Sequence, residues 1–256
     1  MQRPALPASA RVTRLAAALL LAFSLAGCAG GTPLLHPAHV LRPGVASVGG
    51  GVSGDLVLLS RAPEGSDAAD VEELAVAPGV SPWVSGRVGI SGSNEAGLTW
   101  TGRTIRVDGR HAFTLGAPTL SVGLGAAAIL ARRPGSGADG SSVYGVGFDA
   151  PVLLGFQSRS DIYSFWFGPR VGFELLRGKL QGDTADLATG EAPLLDVSGQ
   201  HLQVGFLIGM RVGFRHVHVA IEGGAAYHRA QGEIGDASVT LEQATIAPGG
   251  ALILTF

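Results

Sequence analysis

At 256 residues the chain has room for one or two domains; it is 46% hydrophobic, 15% charged and holds 40 glycines, with a formal charge of −2 and a single cysteine. A mildly acidic chain offers no electrostatic footprint for nucleic acid. One cysteine excludes an internal disulfide, and past the N-terminus no apolar run reaches the ~18–20 residues of a spanning helix.

Arg3, Arg11 and Arg14 lead into the apolar run Leu15 to Gly27. A basic stretch followed by a short apolar one reads as an export signal. The run ends in Leu25-Ala26-Gly27-Cys28. This tetrapeptide resembles the lipobox of bacterial lipoprotein signals, and the resemblance covers the first 28 residues. It implies a signal peptide over 1–27, cleaved before Cys28, with the Cys28 sulfur carrying two acyl chains of the palmitate class and its new amino group a third. Two or more chains hold a protein on a membrane where one is marginal. Ala29, rather than Asp, is what delivery to an outer membrane implies by the same resemblance. Without residues 1–27 the chain carries 15 basic against 20 acidic side chains.

Ala29 to Pro43 contains three prolines and no alternation, so residues 28–43 are expected to form a lipidated tether. From Val45 the pattern changes to period two. In Ile162 to Leu176 (IYSFWFGPRVGFELL), Tyr163, Phe165, Phe167, Val171, Phe173 and Leu175 share one parity. Ser164, Trp166, Gly168, Arg170, Gly172 and Glu174 share the other. Successive side chains of a strand point to opposite faces, whereas a helix would scatter these rings around its circumference. The same split predicts strands at 45–59, 82–91, 97–115, 119–131, 142–157, 161–177, 199–214, 216–232 and 237–256. In the third of these the apolar parity switches between Trp100 and Ile105, which places a bulge near Gly102-Arg103. Pro248 suggests another bulge in the last.

Soluble strands usually run ~5–6 residues. These run about twice to three times that, with glycine and polar residues on the second face, as a transmembrane barrel requires. The last residues, ALILTF, put Leu252, Leu254 and Phe256 on one face, while Ile253 points to the nominal interior. This ending resembles the C-terminal strand of Gram-negative outer-membrane β-barrel proteins, whose terminal aromatic is read by the barrel-assembly machinery. The expected fold is therefore all-β: an antiparallel, up-and-down transmembrane barrel over 44–256, small and porin-like. Nine strands are one too many or too few for a barrel of even count. Eight strands are expected, with ten the alternative, and the discrepancy lies before Arg110.

The faces turned from lipid carry Arg87, Arg103, Arg106, Asp108, Arg110, Asp149, Arg170, Glu174, Arg211, His216, His218, Glu222 and His228. Charges at this depth have to be paired or hydrated, and mixed signs fit an internal ion-pair network. His216-x-His218 invites a metal reading, but a histidine beside a turn is more simply solvated. No metal, cofactor or catalytic residue is expected, and lipidation at Cys28 is the one assigned site. The acidic stretch 61–79 reads as a solvated loop. The expected function is an outer-membrane lipoprotein of structural or interaction role, its interior filled by charge. Its partners are outer-membrane lipid, the assembly machinery and lipoprotein-processing enzymes. A narrow small-solute channel and a lipid-modifying enzyme are the alternatives.

Overall fold

In a computed structural model of the chain, which describes residues 31–61, 79–132, 142–181, 194–235 and 237–256, ten antiparallel strands close into a barrel. They are β1 (Ala46–Arg61), β2 (Gly79–Gly89), β3 (Asn94–Thr101), β4 (Thr104–Thr114), β5 (Thr119–Arg132), β6 (Ser142–Gln157), β7 (Tyr163–Gln181), β8 (Leu194–Phe214), β9 (Val217–Ile234) and β10 (Ala237–Thr255). Each strand pairs with its sequence neighbours, and β1 pairs with β10 to close the ring. Ten strands, the even alternative, is the observed count.

The count differs from nine because the segment expected at 97–115 is two strands. Trp100 pairs with Ile105, and Gly102-Arg103 forms the connection between them. A two-residue turn reverses the chain and switches the outward parity, as a bulge would, so both readings fit Leu98 and Trp100 even against Ile105 and Val107 odd. Pro248 produces no bulge. Its neighbours hold one register with β1 from Ser53↔Gly249 to Leu56↔Ile246, and the shift falls between Val57 and Leu59 of β1. Strands β7 and β8 also extend past the expected ends, through residues 178–181 and 194–198. There the outward residues are Arg177, Lys179, Asp196 and Ser198, so the apolar alternation stops while the hydrogen-bonded ladder continues.

Outward positions form an apolar belt: Phe148, Phe173, Phe206, Ile208, Val219 and Leu252 are all among the exposed large side chains. Inward positions carry the buried polar ones, among them Arg87, Glu95, Arg106, Asp149, His201 and Glu222. This is the reverse of a soluble protein, in which apolar side chains are the ones taken out of contact with solvent. The start of β1 and the end of β10 lie at one rim, with the short connections at 90–93, 115–118, 158–162 and 215–216. The strand ends that flank 62–78, 133–141 and 182–193 lie at the opposite rim, together with the short Gly102-Arg103 connection; the two rims are called the turn end and the loop end. The walls are uneven: β3 has 8 residues and β8 has 21.

Candidate functional site: the occupied lumen

Inside this wall runs the N-terminal segment that precedes β1. It enters at the turn end through Arg42-Pro43-Gly44-Val45, where Val45 N–H donates to the Arg42 carbonyl at 3.0 Å. Proline at the second position and a glycine at φ +81° at the third suit a type II turn. From there Leu34, Leu35 and Ala38 are buried against Trp83, Leu153, Trp166, Leu207, Ala251 and Ile253. Ile253, the apolar residue on the inner face of the last strand, thus has apolar company in the lumen.

Wall side chains hold this segment by its backbone. The buried Glu222 carboxylate accepts from Leu34 N–H at 2.7 Å, Leu35 N–H at 3.0 Å and the Trp166 indole N–H at 3.0 Å. Leu35 sits at φ +54°, so two successive N–H groups converge on one anion as in a backbone nest. Trp83 Nε1–H donates to the Pro33 carbonyl at 3.2 Å, and Arg170 donates to the Thr32 carbonyl. Arg110 donates to the carbonyls of Pro37 and His39 and to His36 Nδ1. A guanidinium only donates, so His36 Nδ1 is the acceptor and the ring is neutral there. Glu95 accepts from Leu41 N–H at 2.7 Å.

Glycines on the wall make room for this packing. A Cβ at Gly155 would lie 2.6 Å from the Ala38 Cβ, and one at Gly209 would lie 2.3 Å from the Trp166 ring.

Around the segment runs an ion-pair network. Arg87 pairs with Glu95 and, at 2.5 Å, with Asp108. Arg106 joins Asp108 at 2.6 Å and Asp149 through two bonds of 2.6 and 3.0 Å. Arg170 Nε reaches Asp149 at 2.9 Å, and Arg110 reaches Glu95 at 2.8 Å. At the next level Arg103 meets Glu174 at 3.3 Å. From Glu174 a chain of hydrogen bonds passes to His201 Nδ1, from His201 Nε2 to His228 Nδ1, and from His228 Nε2 to Thr245 Oγ1, each at 2.9 Å. These residues lie on β7, β8, β9 and β10, so the chain runs around the wall rather than along the barrel. Toward the loop end a second apolar cluster, Ile129, Val143, Leu176, Ile234 and Val239, closes over the network.

Of the inward charges named from the sequence, Arg87, Arg103, Arg106, Asp108, Arg110, Asp149, Arg170, Glu174, Arg211, His218, Glu222 and His228 face the lumen. His216 does not: it lies exposed in the β8–β9 turn, bonded to the Thr255 carbonyl at 2.8 Å. Arg211 instead pairs with Asp161 at the turn end, 2.8 Å away. Among the described residues no three His, Cys, Asp or Glu side chains converge as a metal ion would require. Sequence reasoning missed Glu95 and His36, and did not single out His201 although its parity faces inward. Glu95 sits just before the assigned strand, and His36 lies in a stretch without period. Cys28 and the acidic stretch from 62 to 78 lie outside the described residues.

No protein-family model matches the chain, and no curated protein matches it. Among solved structures it is similar to Neisserial surface protein A, at 9% identity over 83% of this chain and 96% of that one, with a TM-score of 0.34. The Pseudomonas putida toluene transporter TodX matches at 8% identity over 91% of this chain and 99% of that one, TM-score 0.29. The translocator domain of the autotransporter NalP from Neisseria meningitidis matches at 13% identity over 94% and 96%, TM-score 0.27.

Proposed function

We propose that this chain is an integral outer-membrane β-barrel, anchored as well by a lipidated Cys28, that acts as a structural or interaction scaffold with a filled lumen. The observation that carries this reading is the apolar belt outside a lumen occupied by the chain's own residues 31–42. A closed barrel satisfies every backbone group in lipid, and the outward Phe, Val, Ile and Leu side chains suit hydrocarbon. Buried Arg–Asp and Arg–Glu pairs inside are costly to form and more costly to break singly; here they lock the wall strands to one another. Connections of two to five residues join the strands at one rim, whereas the longest gaps between strands fall at the other, as at the periplasmic and outer rims of such barrels.

The test is planar-bilayer conductance of the refolded full chain. Baseline behaviour supports the scaffold; steady, ion-selective conductance refutes it and installs the narrow channel in its place. That second reading draws on one observation: the lumen is filled by a segment, and a segment can leave. Lipidation is tested separately by metabolic labelling with a palmitate analogue. Wild type should be marked and Cys28→Ser should not; equal labelling rejects the anchor. A lipid-modifying enzyme would need its nucleophile within reach of lipid. The Glu174–His201–His228–Thr245 chain instead lies in the interior, with Thr245 1% exposed. An unchanged lipid A mass on co-expression is the expected outcome.

A further inference from the structure

Four connections of this barrel enter the left-handed region of the backbone on a glycine: Gly44, Gly92, Gly116 and Gly235. The two-residue turn between β8 and β9 does so on an arginine, with Arg215 at φ +55°. Glycine takes that conformation freely, whereas an L side chain is strained in it. Two other side-chain-bearing residues share the strain, and their contacts account for it. Leu35 presents its N–H to Glu222. Asp161 accepts from Gln157 and Arg211 through its carboxylate and from His218 through its carbonyl.

Arg215 has no such contacts. Among the described residues its side chain makes no ion pair and no hydrogen bond; its guanidinium lies over the Phe214 ring, 5.1 Å from the centroid. Phe214 faces outward and is 66% exposed, so the cation is held at the outer wall and not over the lumen. His216 ties the turn down by donating from Nδ1 to the Thr255 carbonyl at 2.8 Å. Phe214 pairs with Val217, and Val217 with Leu254, all three exposed on the lipid side. The guanidinium therefore stands where the apolar belt ends. Two more exposed arginines of the turn end, Arg42 and Arg159, also lack an ion pair among the described residues, and the exposed carboxylate there, Asp161, is engaged by Arg211.

We infer that the β8–β9 turn is a headgroup site for an anionic phospholipid of the leaflet at the turn end, with the lipid phosphate on Arg215 and the acyl chains along Phe214, Val217 and Leu254. This rests on the reading of the apolar belt as lipid-facing. Arginine suits the position: its stem lies along apolar surface while its head stays in the polar layer. Its N–H groups take phosphate oxygens in pairs, and no protein acceptor competes for them. The unpaired Arg42 and Arg159 add potential of the same sign, which selects against a zwitterionic headgroup, because that brings a cation of its own.

The experiment uses the full chain refolded in detergent and offered an equimolar mixture of phosphatidylglycerol and phosphatidylcholine, with retained lipid counted by native mass spectrometry. Wild type should keep phosphatidylglycerol in preference. Arg215→Gly and Arg215→Asn both suit the backbone and lose the charge, so both should stay folded and lower the preference about fivefold, the worth of one arginine beside an anionic lipid. Arg177→Gln, at an exposed arginine of the loop end, should leave it unchanged. Equal retention of the two lipids by wild type, or an equal loss in Arg177→Gln and Arg215→Gly, refutes the site while the barrel stands. Displacement of the bound lipid by millimolar inorganic phosphate also refutes it, because the turn then holds a free anion. A wild-type chain without a heat-modifiable band in the same detergent is no folded barrel, and the barrel reading then falls together with the site.

Discussion

Replacing Glu222 with alanine removes the acceptor shared by Leu34 N–H, Leu35 N–H and Trp166 Nε1–H. All three donors are buried, and each one left without a partner costs ~1–3 kcal/mol. Water entering the vacated space recovers part of that, so the low end for each, about 3 kcal/mol together, is the reasonable expectation. Two of the three donors belong to the lumen segment. About 2 kcal/mol therefore falls on its docking, a shift of roughly 30-fold toward release. Glu222→Gln keeps one acceptor oxygen but turns an amide N–H₂ toward donors, and should fall between wild type and Glu222→Ala. Urea unfolding in detergent, followed by tryptophan emission, measures the effect. Trp83 and Trp166 both report on the clamp, whereas Trp100 faces outward at 37% exposure. A red shift below the unfolding transition, with raised conductance, is the expected pattern. A disulfide between Gly31→Cys and Ala247→Cys, in the Cys28→Ser background, should reverse it under oxidation. If Glu222→Ala unfolds with wild type and its emission and conductance are unchanged, the carboxylate does not hold the segment and the reasoning fails.

Single cysteines replacing Phe165, Phe206 and Ile208 should be reached by a lipid-phase quencher after labelling, and those replacing Arg170, Glu174 and Glu222 should not; the opposite pattern would invert the barrel. Arg170→Met should lower stability by only ~1–2 kcal/mol, because Asp149 keeps its two bonds from Arg106 and no buried charge is stranded. Arg106→Met, which loosens Asp149 and Asp108 together, should cost more, and a reversed order in urea midpoints would reject this apportionment. Gly209→Ala drives a methyl into the Trp166 ring and should cost ~1–3 kcal/mol. Gly50→Ala, where a Cβ meets nothing within 4 Å, should be near neutral in the same assay.

The wall was legible because two media act on it. Lipid-facing and lumen-facing positions alternate along each strand, so Tyr163, Phe165 and Phe167 separate cleanly from Ser164, Trp166 and Arg170. The turn at Gly102-Arg103 was not legible. It lacks Asn-Gly or Asp-Gly chemistry, and a bulge leaves the same parity mark. The contents of the lumen were half legible. The charged residues could be named from their parity, but not their pairing, because Asp149 meets Arg106 and Arg170 across strands whose stagger no local pattern reveals. The lumen segment escaped altogether: backbone groups carry its contacts, and these have no side-chain signature. Two marks did point to an occupant. Trp166 and Ile253 are large and apolar at inward positions, and small inward glycines such as Gly155 and Gly209 leave space that something has to fill.

The Leu34–Glu222 hydrogen bond joins residues 188 positions apart, and that separation constrains the order of assembly. A chain that lies inside a ring reaches its place most directly before the ring closes, while the wall groups that bind Leu34 and Leu35 are still open to it from the side. The seam between β1 and β10 is the last pairing available to an up-and-down barrel made in chain order. In that order the segment, attached next to β1, meets Glu222 when β9 is added, and β10 then shuts the wall around it. Contacts between the two ends of a chain are slow to form, since loop-closure entropy is lost before they can reward it. In that order, closure of the barrel depends on an encounter between Leu34 and Leu35 and the last two strands.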